Sequence, residues 1–135
     1  MAFRAGRLAS LSIGGTVIQA YLDNAALNVT GDTSDTTVFG NTWKTAIAGL
    51  LGATISGSGF YDPTASTGPQ AVLWAALTGL VPVAAVYYPG GNTSGQRSYT
   101  CSVLVTSLPE TAAIGAAVTF SFDLLVTGAV TPAVI

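Results

Sequence analysis

The sequence contains no histidine and only one cysteine, Cys101. Without histidine, a Ser-His-Asp triad, a Cys-His pair and a histidine-ligated metal site cannot form. A single thiol has no partner for an internal disulfide, a redox pair or a multi-cysteine zinc site, so we expect Cys101 to be a small buried residue on a strand. We therefore expect no cofactor and no metal ion.

Charged residues are also scarce, at 7% of the chain against roughly 25% in an ordinary soluble domain. The net charge of −2 gives little self-repulsion, which favours association between copies. A weakly charged monomer coated with small polar residues is the alternative that composition leaves open. The basic residues are spread along the chain, so no basic groove that grips nucleic acid is expected; they are Arg4, Arg7, Lys44 and Arg97.

The carboxylates form neither a catalytic nor a calcium-binding pattern. Each lies in or beside turn-like sequence or on the polar face of a strand, which argues against the paired acids of a glycoside hydrolase. Asp32 and Asp35 lack the alternating oxygen ligands and closing Glu of a calcium loop, so we interpret their segment as an Asx-rich turn. We expect that the protein is not an enzyme.

One stretch, residues 71–88, is apolar enough to approach the length of a membrane span. Thr78, Gly79 and Pro82 divide it into a helix-like half and a β-branched half, and no Lys or Arg closely flanks either end. Near the N-terminus, serines and glycines interrupt the apolar residues before a signal-peptide core is reached. We expect neither membrane insertion nor secretion.

Half of the 135 residues are hydrophobic, which excludes disorder of the bulk of the chain and suits one folded domain. We expect residues 1–135 to form that domain, with residues 1–10 and 129–135 as candidates for extended arms.

Alternation of apolar and polar residues predicts several β-strands. The clearest run is at residues 118–127, and a similar run at residues 98–106 is its expected neighbour through a hairpin-like link. Their polar faces are expected to meet water. Together with the further candidates, this count predicts an antiparallel β-sandwich or half-barrel; those candidates are residues 16–22, 25–30, 53–61 and 81–88.

Two helical stretches interrupt these strands. The first is predicted to begin with Asn41 as the N-cap, to contain Trp43 and to end at Gly49. The second begins with Pro69 in its first turn and continues to Gly79, with an apolar stripe that should lie against the sheet. The predicted fold is therefore mainly β, with one flanking α-helix and one short helix.

Gly57 and Gly59 lie two residues apart in a predicted strand and leave one face of its backbone bare. Such glycines permit close approach of another group. A neighbouring subunit that packs into this shallow trough is one interpretation, which makes both residues subunit-interface candidates. A bulge or sharp coil of the strand is the other.

The order of motifs in the middle of the chain resembles that of a known family. Residues 32–45 read Asp-Thr-Ser-Asp-Thr-Thr-Val-Phe-Gly-Asn-Thr-Trp-Lys-Thr, followed by Ala-Gly-Leu at residues 48–50 and Ser-Gly-Ser-Gly-Phe-Tyr-Asp at residues 56–62. An acidic Asp-Thr-Thr loop, a Trp-containing helix, an Ala-Gly-Leu turn and a Ser-Gly-x-Gly strand are similar to those of the major tail tube proteins of long-tailed, siphovirus-type bacteriophages. The segment at residues 125–131 is similar to the closing strand of that family, so the resemblance extends from about Leu22 onward.

The resemblance implies a structural protein of the virion tail, present in the host cytoplasm during assembly. Copies would close hexameric rings by edge-to-edge strand pairing, and the rings would stack into a hollow tube with other tail proteins at its ends. Such closure removes the free strand edges that make a monomer prone to association. In this family the loop before the Trp helix contacts neighbouring subunits, which makes Thr36, Phe39 and Trp43 interface candidates.

The same resemblance implies that double-stranded DNA passes through the tube in transit and is not bound specifically. A lumen lined by Ser, Thr and scattered Asp, with almost no Lys or Arg, fits transport better than binding. Asp123, on the polar side of the last strand, is the lumen candidate.

Three other functions share these features: a capsid decoration (cement) protein, an inner tube subunit of a contractile tail or secretion-type system, and a small barrel that binds an apolar ligand. They differ in assembly. A decoration protein would be monomeric or trimeric in isolation, a ligand barrel would be monomeric with an internal cavity, and a tube subunit would form rings or filaments.

Overall fold

The computed structural model describes residues 6–18, 21–62 and 68–135 of the chain. Strands dominate these residues, and one α-helix accompanies them. In chain order the elements are a 3₁₀ turn (Gly6–Leu8), β1 (Ser10–Ile13), β2 (Thr16–Val17), β3 (Leu22–Asp35), β4 (Ala46–Phe60), α1 (Pro69–Gly79), β5 (Val83–Tyr88), β6 (Arg97–Ser107), β7 (Glu110–Thr111) and β8 (Thr119–Val134).

The strands of the described residues form one 8-stranded antiparallel sheet in the order β2-β1-β5-β6-β8-β4-β3, with β7 paired to β8. The sheet curves back on itself, because the Tyr87 hydroxyl on β5 donates a 3.3 Å hydrogen bond to the Ala25 carbonyl on β3, far away in strand order. The mainly β, antiparallel prediction is confirmed. Of the two predicted architectures, a single curved sheet corresponds to the half-barrel.

The core lies on the concave side of this sheet, and strict alternation along the strands fills it. In β8, Phe120, Phe122, Leu124 and Val126 are buried, whereas the residues between them face the other side. The Phe120 and Phe122 rings stack with their centroids 6.2 Å apart. Inward residues of the neighbouring strands complete the core, among them Leu11, Ile13, Ile55, Ala85, Cys101 and Val103.

Helix α1 covers one side of the core and has the bounds that the sequence predicts. Pro69 occupies its first turn, and Leu73 is fully buried against the sheet. Two side chains also tie the helix to β7: the Gln70 amide and the Trp74 indole N–H donate to Glu110 Oε1 at 3.1 and 3.2 Å. No helix of the described residues is long and apolar enough to cross a membrane.

The prediction of a short helix at residues 41–49 is wrong. Residues 41–45 belong to the loop between β3 and β4, and β4 has already begun at Ala46. A helix of two turns is marginal because its nucleation costs more than its few hydrogen bonds return. The same residues instead gain a ladder with β3, which extends to the pair Asp35–Ala46.

The two chain ends also differ from the extended arms considered above. Residues 129–134 lie in β8, residues 131–134 pair with β6, and the amide of Ile135 donates to the Gln96 carbonyl at 2.9 Å, so this segment is part of the sheet and not a free arm. At the other end, residues 1–5 lie outside the described residues. Residues 6–8 form the 3₁₀ turn, and Ser10 is already the first residue of β1.

Candidate functional site

The hairpin of β3 and β4 extends well beyond the rest of the sheet. β3 pairs with β4 from Leu22–Gly59 to Asp35–Ala46, but β4 pairs with β8 only over residues 54–60. Residues 30–52, here called the arm, therefore form a two-stranded ribbon with its terminal loop. Every residue of the arm is exposed.

Hydrogen bonds close the neck of the arm's terminal loop. The Thr36 amide donates to the Thr45 carbonyl at 2.9 Å, and the hydroxyls of the same two residues lie 2.9 Å apart. The Thr45 amide donates to Thr37 Oγ1 at 2.9 Å, and the Thr37 amide donates to Asp35 Oδ1 at 2.8 Å. We call these four residues the clasp. Hydrogen bonds from the Thr37 side chain and backbone hold the pKa of Asp35 below its usual value.

The loop that the clasp closes presents large apolar side chains to solvent. Phe39 is fully exposed and Trp43 is 84% exposed, with Val38 beside them; residues 38–43 are here called the tip. Along the ribbon, Ile47, Leu50 and Leu51 are exposed as well. The structure therefore brings Thr36, Phe39 and Trp43 together at the end of the arm, with Thr36 in the clasp.

Sequence reasoning missed Ile47, Leu50 and Leu51 as candidates. Ile47 falls within the predicted short helix, and Leu50 belongs to the Ala-Gly-Leu turn that follows it. The available signal was the apolar pair Leu50-Leu51 itself, since adjacent residues of a strand face opposite sides and cannot both enter one core.

Gly57 and Gly59 lie in the half of β4 that belongs to the body. A Cβ on Gly57 would lie 2.6 Å from the Asn24 carbonyl oxygen and 2.7 Å from Cζ of Phe122, and a Cβ on Gly59 would clash with the Tyr21 carbonyl. The chain itself thus fills the space above both glycines. This corrects the prediction that a neighbouring subunit packs into the trough between them.

Opposite the core, β3, β4, β6 and β8 share an outward surface rich in small polar side chains. Asp123 lies on it, between Phe122 and Leu124 that face the core, and pairs with Ser56 of β4. The Ser58 hydroxyl donates to Asp23 Oδ1 at 2.8 Å. We call this surface the polar face; its members are Asp23, Asn28, Thr54, Ser56, Ser58, Thr106, Ser121 and Asp123, with Leu104 and Leu125 as apolar members.

The polar face contains two carboxylates and neither Lys nor Arg. Binding to a nucleic-acid backbone relies mainly on Lys and Arg, which this surface does not offer. Within the described residues, no group of three or more His, Cys, Asp or Glu lies close enough together to hold a metal ion.

A model of the phage tail tube protein family matches residues 9–132. The chain belongs to this family. The match covers nearly the whole sequence and confirms the resemblance drawn from the motif order, so the chain is a structural tail tube subunit. A search of curated proteins found no significant match.

Solved tail structures share the fold at low sequence identity. The virion of a native gene transfer agent contains a chain with a TM-score of 0.81 at 14% identity, with 97% of this chain and 99% of that chain covered. For the tail of an empty gene transfer agent particle, refined with C6 symmetry, the TM-score is 0.76 at 17% identity, with 96% and 98% covered. For the SPP1 tail tube the TM-score is 0.79 at 8% identity, with 98% and 80% covered.

Proposed function

We propose that copies of the chain close hexameric rings and that the rings stack into a tail tube through which double-stranded DNA leaves the virion. Membership of the tail tube family supports tube formation, and the C6 symmetry of the similar gene transfer agent tail supports the ring size. The role is structural, and no catalytic step is assigned to the protein.

The exposed arm is the observation that carries this proposal. An isolated two-stranded ribbon is marginally stable in water. This one also exposes Leu50, Leu51, Phe39 and Trp43, with few charged residues nearby to prevent association with another apolar surface. β3 also forms one edge of the sheet, and an edge strand presents backbone groups that have no partner strand. Contact with other copies buries these apolar side chains and pairs the free edge of β3. A closed ring leaves no strand edge open.

The candidate residues take distinct roles in this proposal. Thr36 holds the neck of the loop, whereas Phe39 and Trp43 make the contacts with a neighbouring subunit. The polar face, with Asp123 near its centre, lines the lumen. At each end of a stack, one set of contact surfaces has no partner copy, so other tail proteins are expected to cover it.

Electron microscopy of purified protein tests the assembly. The wild-type chain is expected to form rings or tubes in negative stain, and Trp43→Ala is expected to give a folded monomer that does not elongate. Ile114→Ala is the matched control, because Ile114 is as exposed as Phe39 but lies in the loop between β7 and β8. Wild-type protein that is monomeric under every assembly condition would contradict tube formation, and full-length Trp43→Ala tubes would contradict the role of the arm.

The lumen assignment is tested by adding positive charge. Tubes assembled with double-stranded DNA present are pelleted, and the retained DNA is measured against salt concentration. Ser56→Lys on the polar face is expected to retain DNA that salt releases, with a log-log slope of about −0.9 for each phosphate neutralised. Ile114→Lys, which adds the same charge elsewhere, is expected to retain as little as wild type. Equal retention by the two variants would contradict a lumen at the polar face.

A further inference from the structure

The arm and β8 diverge like the two prongs of a fork. They separate just beyond the pair Thr54–Leu125. Within the described part of the chain, residues 46–53 of β4 then pair only with β3, and β8 pairs only with β6, through residues 126, 127 and 131–134. The gap between the prongs is a groove of about 490 Å³, here called the fork groove.

The fork groove is apolar and carries no charge. Its walls are Leu50 and Leu51 on one prong and Val126 and Val130 on the other, and Val29 of β3 also lines it. The remaining lining residues, at positions 49, 52, 53, 128 and 129, are glycine and alanine, which leave room for an inserted side chain. Both walls also present backbone groups without ladder partners, so an extended segment placed between them can add hydrogen bonds as a strand does.

The same molecule carries an apolar knob that matches this groove. The tip displays Val38 and the fully exposed Phe39, and Thr37 and Val38 belong to neither a strand nor a turn. A chain cannot insert its own tip, because the ladder from Gly31–Leu51 to Asp35–Ala46 holds tip and groove apart by about 15 Å at roughly 3.3 Å per residue.

A knob and a groove at separate places on one molecule make a heterologous contact, which repeats from copy to copy. We propose that the fork groove of one copy receives Val38 and Phe39 from the tip of a second copy. This inference rests on the proposed function, since it requires the tube to assemble. It adds the receiving surface, which neither the motif order nor the family match identifies.

Engineered thiols test the contact directly. Val38→Cys and Ala129→Cys, which keep the Phe39 ring, are placed in one chain, tubes are assembled and oxidised, and covalent multimers are separated on a non-reducing gel. The native Cys101 is buried and adds little background. Dimer and higher multimers are expected about tenfold or more above the control pair Ile114→Cys with Ala129→Cys, because thiols held together react at a high effective concentration.

The outcomes separate this inference from the proposed function. Tubes that form with crosslinking no higher than the control pair would overturn the fork groove as the receiving surface and leave tube assembly intact. Wild-type protein that forms no tubes would overturn the proposed function and the inference with it.

A second variant applies if the double-cysteine chain does not assemble. Ala129→Trp fills the groove from one wall and is expected to stop tube growth while the monomer is still folded by circular dichroism. Ile114→Trp is expected to grow tubes normally. Unchanged growth of Ala129→Trp tubes would overturn the inference, as would a groove that takes up an apolar dye equally well before and after assembly.

Discussion

The two halves of strand β4 have similar composition and opposite environments. In the body, Ile55 is fully buried; four residues earlier, on the same side of the strand, Leu51 is 80% exposed. The difference is the strand alongside, because β8 pairs with residues 54–60 and diverges from residues 46–53. Burial within the chain stabilises the fold of the body. The apolar residues of the arm have no such role in the monomer, and they are available to stabilise contacts between copies.

The largest expected difference between the two regions is in the effect of removing an aromatic ring. Phe122→Ala removes a fully buried ring at the centre of the body and is expected to lower the free energy of unfolding by about 3–5 kcal/mol, with loss of folded protein and of tubes. Phe39→Ala removes a fully exposed ring and is expected to change monomer stability by less than about 0.5 kcal/mol while it abolishes elongation.

Urea denaturation and negative-stain microscopy of both variants provide the measurements. If Phe39→Ala destabilises the monomer as strongly as Phe122→Ala, the arm and the body do not differ in this way, since the tip would then pack against its own chain.

A smaller difference is expected for two glycines of β4. Gly57→Ala places a Cβ 2.6 Å from a backbone oxygen of β3 and 2.7 Å from the Phe122 ring, and strain of this kind costs about 1–3 kcal/mol. Gly52→Ala, on the arm, meets only Thr30 Oγ1 at 4.0 Å and is expected to leave stability unchanged or slightly higher. Thermal unfolding of monomeric protein checks both. Equal melting temperatures would show that β4 can shift in the body as freely as in the arm.

The body could largely be predicted from the sequence, because its strands have one buried and one solvated face. Alternation around Phe122 placed Asp123 on the polar side, and Pro69 and Gly79 marked the bounds of α1. The arm could not, since both faces of its strands are exposed and alternation carries no information there. Thr36, Phe39 and Trp43 were identified from the motif order, whereas the fork groove depends on where two strands diverge, which no local pattern encodes.

Loss of one clasp hydrogen bond is expected to loosen the tip without changing the stability of the body. Thr45→Val removes the hydroxyl that lies 2.9 Å from Thr36 Oγ1 but keeps the backbone ladder and the side-chain shape. Global stability is expected to change by less than about 0.5 kcal/mol because the site is exposed. Amide exchange at residues 36–45 is expected to accelerate, with exchange in β8 unchanged. Equal acceleration in both regions would mean that the clasp supports the whole fold.

The smallest expected effect is a pH dependence confined to the arm. Hydrogen bonds from Thr37 hold the pKa of Asp35 below its ordinary value, so the carboxylate stabilises the folded tip above about pH 3.9 and this contribution is lost as the pH falls through the lowered pKa. The chemical shift of the Thr37 amide, followed by NMR from pH 6 downward, should therefore titrate with a midpoint below the ordinary pKa of Asp, which is roughly 3.9. Asp35→Asn should abolish this step, since its amide oxygen accepts the same hydrogen bond without titrating. A midpoint at or above the ordinary value would show that the clasp does not hold the carboxylate in solution.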